Sequence, residues 1–161
     1  MNDNPGKEPC FHRTWYESRI LPFIDKPLVK VVTGIRRSGK SSVLRLVADS
    51  ILQSGASADR VIFLNMESME NDGYRDLAAL RDLVMRSKAD TGRRPYLIID
   101  EVQEIPGWER AVNSFLADDD ADIFISGSNS KLLSGELASL LTGRYVEFPL
   151  YPLTYSEFLQ F

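Results

Sequence analysis

The sequence predicts an α/β protein of three layers, in which helices cover both faces of a central parallel sheet of five strands. One observation is alternation, since short apolar runs that suit buried strands are separated by segments with apolar residues at helical spacing. The other is that polar residues follow three of these runs directly. Ligands bind beyond the carboxyl ends of strands in such sheets, so these three positions predict a site.

The amino-terminal segments are a lead-in, a short helix and a strand. Residues 1–12 are rich in Asn, Pro and Gly and are predicted to be disordered, with one folded unit over 13–161. Thr14 and Glu17 have the spacing of a capping box, which predicts a short helix from that point. Residues 27–34 form a β-branched run typical of a buried strand.

The next elements follow from periodicity and turn signals. Apolar residues at helical spacing predict a helix over 39–53, and Gly55 stops it. Residues 60–66 predict a second buried strand, and a further helical pattern covers about 74–88.

The carboxyl-terminal half continues the alternation. A helix is predicted after Pro106, with Trp108 and Phe115 in the core, and a short helix is predicted over 134–141. The remaining predicted strands are the apolar runs at residues 96–101, 122–128 and 144–150.

Composition excludes several classes of protein. The 161 residues include 19 Lys and Arg against 23 Asp and Glu, and this net charge of −4 argues against broad binding to nucleic acid. Cys10 is the sole cysteine, so no internal disulfide can form, and a reducing, cytoplasmic setting fits. No apolar run approaches the length of about 18 residues that predicts a membrane span.

The clearest motif lies between the first strand and the second helix. Its pattern, glycine, four residues, then Gly-Lys-Ser, is a full match to the phosphate-binding P-loop. Backbone amides of such a loop converge on one anion, the lysine adds charge, and the serine hydroxyl suits Mg²⁺. The residues assigned to nucleotide contacts are Gly34, Ile35, Arg36, Arg37, Ser38, Gly39, Lys40, Ser41 and Ser42.

The paired arginines of the loop have two open interpretations. Side chains at interior positions of such a loop generally point away from the phosphates, because the backbone forms the cradle. Arg36 and Arg37 are therefore either solvated charges or partners of nearby acids in salt bridges, or they contact a neighbouring subunit, a nucleotide edge or a partner.

Two acids end the third predicted strand. Asp100 suits Mg²⁺, held through a water, and Glu101 suits the orientation and polarisation of a water in line with a γ-phosphate. Asn65, at the end of the second strand, is a restraint on Glu101 or simply a capped strand end. The sequence lacks the Asn-Lys-x-Asp that reads guanine.

A strand lies between the P-loop strand and the acidic strand in sequence, as in ATPases that use an added catalytic glutamate. This arrangement predicts the strand order 5-1-4-3-2, with the end of the fourth strand beside the γ-phosphate. Ser128 or Asn129 is then a sensor of that phosphate, or both belong to a turn that caps a helix.

Three segments together resemble the AAA-type ATPase core of a large prokaryotic family, whose members often carry a DUF4143 domain after that core. The segments are VVTGIRRSGKSSVL, LIIDEVQEIPGWE and FISGSNSKLLSGELASLLTGRYVEFPLYPLTYSEFL. The resemblance covers about residues 19–161 and implies ATP, Mg²⁺ and a core that continues into a further domain. We therefore expect 13–161 to be part of a longer protein.

The resemblance also makes Arg144 a candidate arginine finger or sensor that neutralises charge on the transferred phosphoryl group. Acting on a neighbour would require a homo-oligomer. The alternative is a structural ion pair of Arg144 with Glu136 or Glu147.

The sequence thus predicts Mg²⁺-dependent ATP hydrolysis that switches or remodels an unidentified macromolecular partner. Two alternatives stay open: a nucleotide-binding switch with little turnover, and a small-molecule kinase. The kinase is disfavoured because the acid pair and the polar end of the fourth strand suit hydrolysis better.

Overall fold

The computed structural model describes residues 13–128, 132 and 134–152, and it confirms the three-layer α/β architecture. The strands in these ranges are β1 Val29–Gly34, β2 Val61–Asn65, β3 Tyr96–Asp100, β4 Asp122–Ser128 and β5 Tyr145–Leu150. The α-helices there are α1 Thr14–Ile20, α2 Lys40–Gln53, α3 Leu77–Thr91, α4 Trp108–Ala117 and α5 Ser134–Leu140. None of these helices is long and apolar enough to cross a bilayer.

The sheet is parallel throughout, in the order β2-β3-β4-β1-β5. This is the predicted order, read from the opposite edge. Because β4 lies between β1 and β3, all three carboxyl ends meet at one edge of the sheet. The register pairs Gly34 at the end of β1 with Ser128 at the end of β4.

Each face of the sheet has its own hydrophobic core. Val31 and Val32 are adjacent in β1 and point to opposite faces, as the pleat requires. Residues of α1 and α2 pack on the face of Val32, and residues of α3, α4 and α5 pack on the face of Val31. Trp108 and Phe115 are buried in the second of these cores, as predicted.

Strand β2 differs from the prediction of a fully buried strand. Ile62 and Leu64 are buried, but the alternate residues Val61, Phe63 and Asn65 are only partly covered. The reason is position, since β2 forms one edge of the sheet and pairs with β3 alone.

The starts of two helices differ in detail from the prediction. Helix α1 begins at Thr14, as predicted, but its N-cap is Arg13, which has no side-chain cap, and not Thr14. Helix α3 begins at Leu77 because the side chain of Asp76 accepts a hydrogen bond from the N–H of Ala79. The residues before it form a 3-10 helix, Met69–Arg75.

A buried ion pair joins β1 and β4 near their amino ends, away from Gly34. Lys30 and Asp122 are 0% and 2% exposed, and the ammonium of Lys30 donates to Asp122 Oδ1 and, at 2.9 Å, to the carbonyl of Lys26. The N–H of Asp25 donates to Asp122 Oδ2 at 2.9 Å. Burial lowers the pKa of Lys30 and raises that of Asp122, so each charge depends on the other.

We expect Asp122→Asn to lower the free energy of unfolding by about 3–5 kcal/mol, because it leaves an uncompensated ammonium in the interior. Without Asp122, the main influence on the pKa of Lys30 is the burial that already lowers it below the ordinary 10.5, with smaller opposing effects of Arg94 and Asp25. Lys30 then loses its proton more readily in the folded state than in the unfolded state. The loss in free energy of unfolding therefore shrinks as pH rises from the folded-state pKa of Lys30 towards 10.5.

Denaturant unfolding at about pH 7 and about pH 9.5 measures both effects. The control is Asp120→Asn, which breaks the ion pair of Asp120 with Lys88, a pair more exposed than that of Lys30 with Asp122. This variant should lower the free energy of unfolding by less than about 1 kcal/mol. Equal losses in the two variants would contradict the prediction.

Candidate functional site

The loop between β1 and α2 has the backbone of an anion cradle. Arg37 and Gly39 both have left-handed conformations, with φ of 66° and 92°, and Gly39 is the N-cap of α2. The N–H of Ser38 donates to the carbonyl of Ile35 at 3.2 Å, which closes the turn. The first amides of a helix have no intrahelical acceptors, so those of the 14-residue α2 are available to an anion held by this loop.

Lys40, the first residue of α2, lies inside this turn. Its side chain is 4% exposed, and Nζ is 3.4 Å from the carbonyl oxygen of Gly34 and 3.3 Å from that of Ile35. Nζ is also 3.4 Å from Glu101 Oε1. The structure therefore brings the lysine of the loop together with the acid that follows β3, as expected for residues at the carboxyl ends of strands in one sheet.

Glu101 follows β3 directly and is held at three points. Its φ of 57° is unusual for a residue with a side chain, and its N–H donates to Ser126 Oγ at 3.0 Å. One carboxylate oxygen faces Lys40, and the other, Oε2, accepts a hydrogen bond from Gln103 Nε2 at 2.5 Å. Both oxygens of the carboxylate are thus engaged.

Asp100, the last residue of β3, is 1% exposed. The hydroxyl of Ser126, in β4, donates to Asp100 Oδ1 and so orients this carboxylate while also accepting the N–H of Glu101. The sequence prediction assigned no role to Ser126. Its only signal is a polar residue in the apolar run of β4, and its partners are set by the strand order.

The first glycine of the loop is a point of close packing between β1 and β5. A Cβ on Gly34 would lie 2.6 Å from the carbonyl oxygen of Leu150 and 2.6 Å from Ser38 Oγ. Ser38 is 3% exposed, and its hydroxyl has no hydrogen-bond partner in the described part of the chain. The loop can therefore lie this close to β5 only with glycine at position 34.

Arg13 braces the loop from α1, although nothing in the sequence marked it. The side chain is buried, with Nη1 donating to the carbonyl of Ser38 at 2.9 Å and Nη2 to that of Tyr151 at 3.0 Å. The guanidinium lies 4.4 Å from the ring centre of Tyr16, whose hydroxyl accepts the N–H of Tyr151 at 3.0 Å. One side chain thus joins the loop to the segment after β5.

The remaining residues predicted for the loop lie on or beside it. Ile35, Arg36 and Arg37 are exposed at its tip, which agrees with side chains that point away from the cradle. Ser41 and Ser42 are in the first turn of α2 and are partly exposed.

Three further residues have different outcomes. Ser128 lies beside Gly34 at the site edge, and Asn129 falls outside the described residues. Asn65 Oδ1 accepts the N–H of Glu67 at 3.0 Å, so it caps the strand end, and the contacts to the Glu101 carboxylate come from Lys40 and Gln103.

Arg144 lies at the amino ends of the strands, whereas the phosphate loop lies at their carboxyl ends. It precedes β5 and its carbonyl accepts the N–H of Val29, the first residue of β1, whereas the phosphate loop follows the last residue of β1. The side chain is exposed. Thr33 Oγ1 donates to Glu147 Oε1 at 2.7 Å, and the described residues contain no ion pair between Glu147 and Arg144.

This combination of strand order, loop and acids defines a P-loop NTPase fold of the type with an added glutamate. The profile of the AAA_14 family, described as an AAA domain, matches residues 26–159, and the chain belongs to this family. It therefore has the ATP-binding core of AAA-type P-loop ATPases.

Two curated relatives support this assignment. An uncharacterized protein of Haemophilus influenzae is 40% identical over 144 residues, which is 89% of this chain and 36% of that protein. The protein MJ1544 of Methanocaldococcus jannaschii is 33% identical over 135 residues, 83% of this chain and 28% of that protein. The chain thus spans about a third of the length of these relatives.

Solved structures share the fold at low identity. DnaA from Aquifex aeolicus bound to AMPPCP has a TM-score of 0.57 and 16% identity, over 91% of this chain and 48% of that one. A DNA replication initiation factor has a TM-score of 0.60 and 17% identity, over 98% and 50% of the two chains. Pif1 helicase from Candida albicans has a TM-score of 0.52 and 14% identity, over 90% and 41%.

We expect Gly34→Ala to destabilise the fold by about 1–3 kcal/mol, because the added methyl group meets a backbone oxygen of β5 that cannot move alone. Gly73→Ala is the control, since a Cβ at position 73 has nothing within 4 Å. Thermal unfolding of both variants tests this close packing, and a Gly34→Ala melting temperature equal to that of Gly73→Ala would refute it.

Proposed function

We propose that the chain binds ATP with Mg²⁺ and hydrolyses it. The observation that carries the proposal is the position of Lys40, buried inside the loop with its amine within 3.4 Å of the carboxylate of Glu101. A buried cation enclosed by loop carbonyls, beside the amides of a helix start, suits a polyphosphate. The acid at 3.4 Å from that cation suits a water that attacks the outer phosphate.

The residues present fit a bound magnesium ion. Mg²⁺ prefers hard oxygen donors, and the site edge carries the Asp100 carboxylate, oriented by Ser126, with the Ser41 hydroxyl in the first turn of α2. In this assignment Ser41 and Asp100 hold the ion, Asp100 through a water. Bound there, the ion would neutralise charge on the phosphates.

The contacts of Glu101 explain how binding would prepare the reaction. Lys40 is shared between two carbonyls and Glu101, all of which are weaker partners than a polyphosphate. When Lys40 turns to the phosphates, Glu101 Oε1 loses its cation and becomes available to a water. Glu101 thus acts as the base, and Ser128, beside Gly34, senses the γ-phosphate, either alone or with Asn129.

Two lines favour ATP among the nucleotides. The chain belongs to an AAA family, and the structure of DnaA that shares its fold is bound to AMPPCP. We propose that ATP turnover drives a conformational switch or the remodelling of a macromolecular partner in a protein longer than this chain.

A switch with little intrinsic hydrolysis is the second candidate, and one observation favours it. Both oxygens of the Glu101 carboxylate are engaged in this structure, so the base is not ready to receive water. Slow basal turnover is the expected consequence.

We expect Lys40→Ala to weaken ATP binding at least about tenfold, because the loop loses a charge-assisted contact worth about 1.5–3 kcal/mol. Calorimetry with ATP and Mg²⁺ measures this effect. Lys88→Ala, which removes a lysine on the far side of the sheet, should bind as wild type does.

Ser41→Ala should lose more affinity with Mg²⁺ than without it, and equal losses would contradict its assignment to the metal.

We expect Glu101→Gln to retain nucleotide binding and to lower the hydrolysis rate by about 10²–10⁴-fold, the usual contribution of a general base. Phosphate release under single-turnover conditions measures it, with Glu67→Gln, an exposed acid after β2, as the control. Equal rates for Glu101→Gln and wild type would remove Glu101 from the mechanism.

Arg144 is proposed to act on the nucleotide of a neighbouring copy, because it lies at the sheet edge opposite its own loop. Arg144→Ala and Glu101→Gln should each be nearly inactive alone. Mixed together, they should regain a measurable fraction of wild-type hydrolysis, since some interfaces combine an intact Arg144 with an intact Glu101. A mixture as inactive as its components would argue against action between copies.

A further inference from the structure

We propose that Gln103 is a positioning residue for Glu101, and that it holds one carboxylate oxygen while the other receives the attacking water. The inference rests on the proposed function, in which Glu101 is the base. Gln103 belongs to the 3-10 helix Val102–Glu104, directly after the acids of β3.

The two oxygens of Glu101 have separate partners. Lys40 lies 3.4 Å from Oε1, and Gln103 Nε2 lies 2.5 Å from Oε2. A polyphosphate competes for Lys40 but offers no acceptor that replaces Glu101 in the contact with Gln103. Nucleotide binding therefore releases Oε1 alone, and the carboxylate keeps its orientation.

The side-chain amide of Gln103 has only part of its hydrogen-bonding capacity satisfied. Its Oε1 is buried and has no hydrogen-bond partner in the described ranges, which costs about 1–3 kcal/mol in comparable cases. The reverse orientation of the amide is excluded, because two acceptor oxygens would then face each other. Stability alone does not explain a glutamine here, whereas the contact with Glu101 does.

The end of β4 is shaped to admit this side chain. A Cβ on Gly127 would lie 2.6 Å from Gln103 Oε1 and 2.2 Å from a methyl carbon of Leu132. Val102, the preceding residue, is fully buried and fixes the backbone of the 3-10 helix. Gln103 is therefore packed between the acidic strand end and β4.

The chemistry of an amide suits this role. Lysine or arginine at this position would stabilise the charged carboxylate and weaken it as a base, and an acid would repel it. A neutral donor fixes the geometry of Glu101 and leaves most of its basicity, which is what a base for water requires.

The test compares Gln103→Met, similar in length but without a donor, with the control Gln53→Met at the exposed end of α2. We expect Gln103→Met to bind ATP within twofold of wild type and to hydrolyse it at least tenfold more slowly in single turnover. Its melting temperature should equal or exceed that of wild type, because the variant removes a buried oxygen without a partner. A purely structural role predicts a lower melting temperature and no separation of binding from rate.

A second readout needs no nucleotide. The side-chain amide protons of Gln103, assigned in NMR spectra by their loss in Gln103→Met, should be shifted downfield of those of Gln53 by the charged acceptor. Glu101→Ala should return them to the range of an exposed glutamine. Signals of Gln103 that are unaffected by Glu101→Ala would overturn the contact.

The outcomes separate the two proposals. Wild-type protein that releases no phosphate contradicts the proposed function and this inference together. Wild-type hydrolysis that is retained in Gln103→Met contradicts the inference alone.

Discussion

The insertion of β4 between β1 and β3 is the constraint on which the site depends. It separates the phosphate loop from the acidic strand end by one strand, which leaves room for the side chain of Lys40 to meet Glu101 across the gap. The inserted strand also contributes Ser126, which hydrogen-bonds to the carboxylate of Asp100 and to the backbone of Glu101. A sheet with β1 and β3 adjacent would lose both arrangements.

The charges of Lys40 and Glu101 balance each other within the site. The ammonium of Lys40 is paired with the carboxylate of Glu101, and the neutral amide of Gln103 donates a hydrogen bond to the same carboxylate. In the mechanism proposed above, part of the energy of phosphate binding is used to separate this ion pair. The proposed exchange of partners would link occupancy of the loop to the contacts of the Glu101 carboxylate.

The sequence predicted the parts of the site that depend on local pattern. The loop at 34–41 and the acids Asp100 and Glu101 are contiguous motifs between recognisable elements, and the structure places them together. The strand order followed from motif order and the class of ATPase that it indicates.

The parts that escaped prediction depend on contacts between distant segments. Arg13 meets Ser38 and Tyr151 across 25 and 138 positions of sequence, and no local pattern marks such a partner. Ser126 resembles an ordinary polar residue until β4 is placed beside β3. Gln103 is a different case, because it lies two positions from Glu101 and its contact depends on the geometry of the intervening turn. The partial exposure of β2 likewise follows from its place as the outermost strand of the sheet, and its apolar sequence gives no sign of that place.

The guanidinium of Arg13 spans two carbonyls that belong to different parts of the chain, one before α2 and one just after β5. The polypeptide leaving the sheet at Tyr151 is thereby tethered within one side chain of the turn that curls around Lys40. Any shift of that turn must either carry Tyr151 along or break a buried bond. The geometry therefore couples the position of the loop to that of Tyr151, directly after β5.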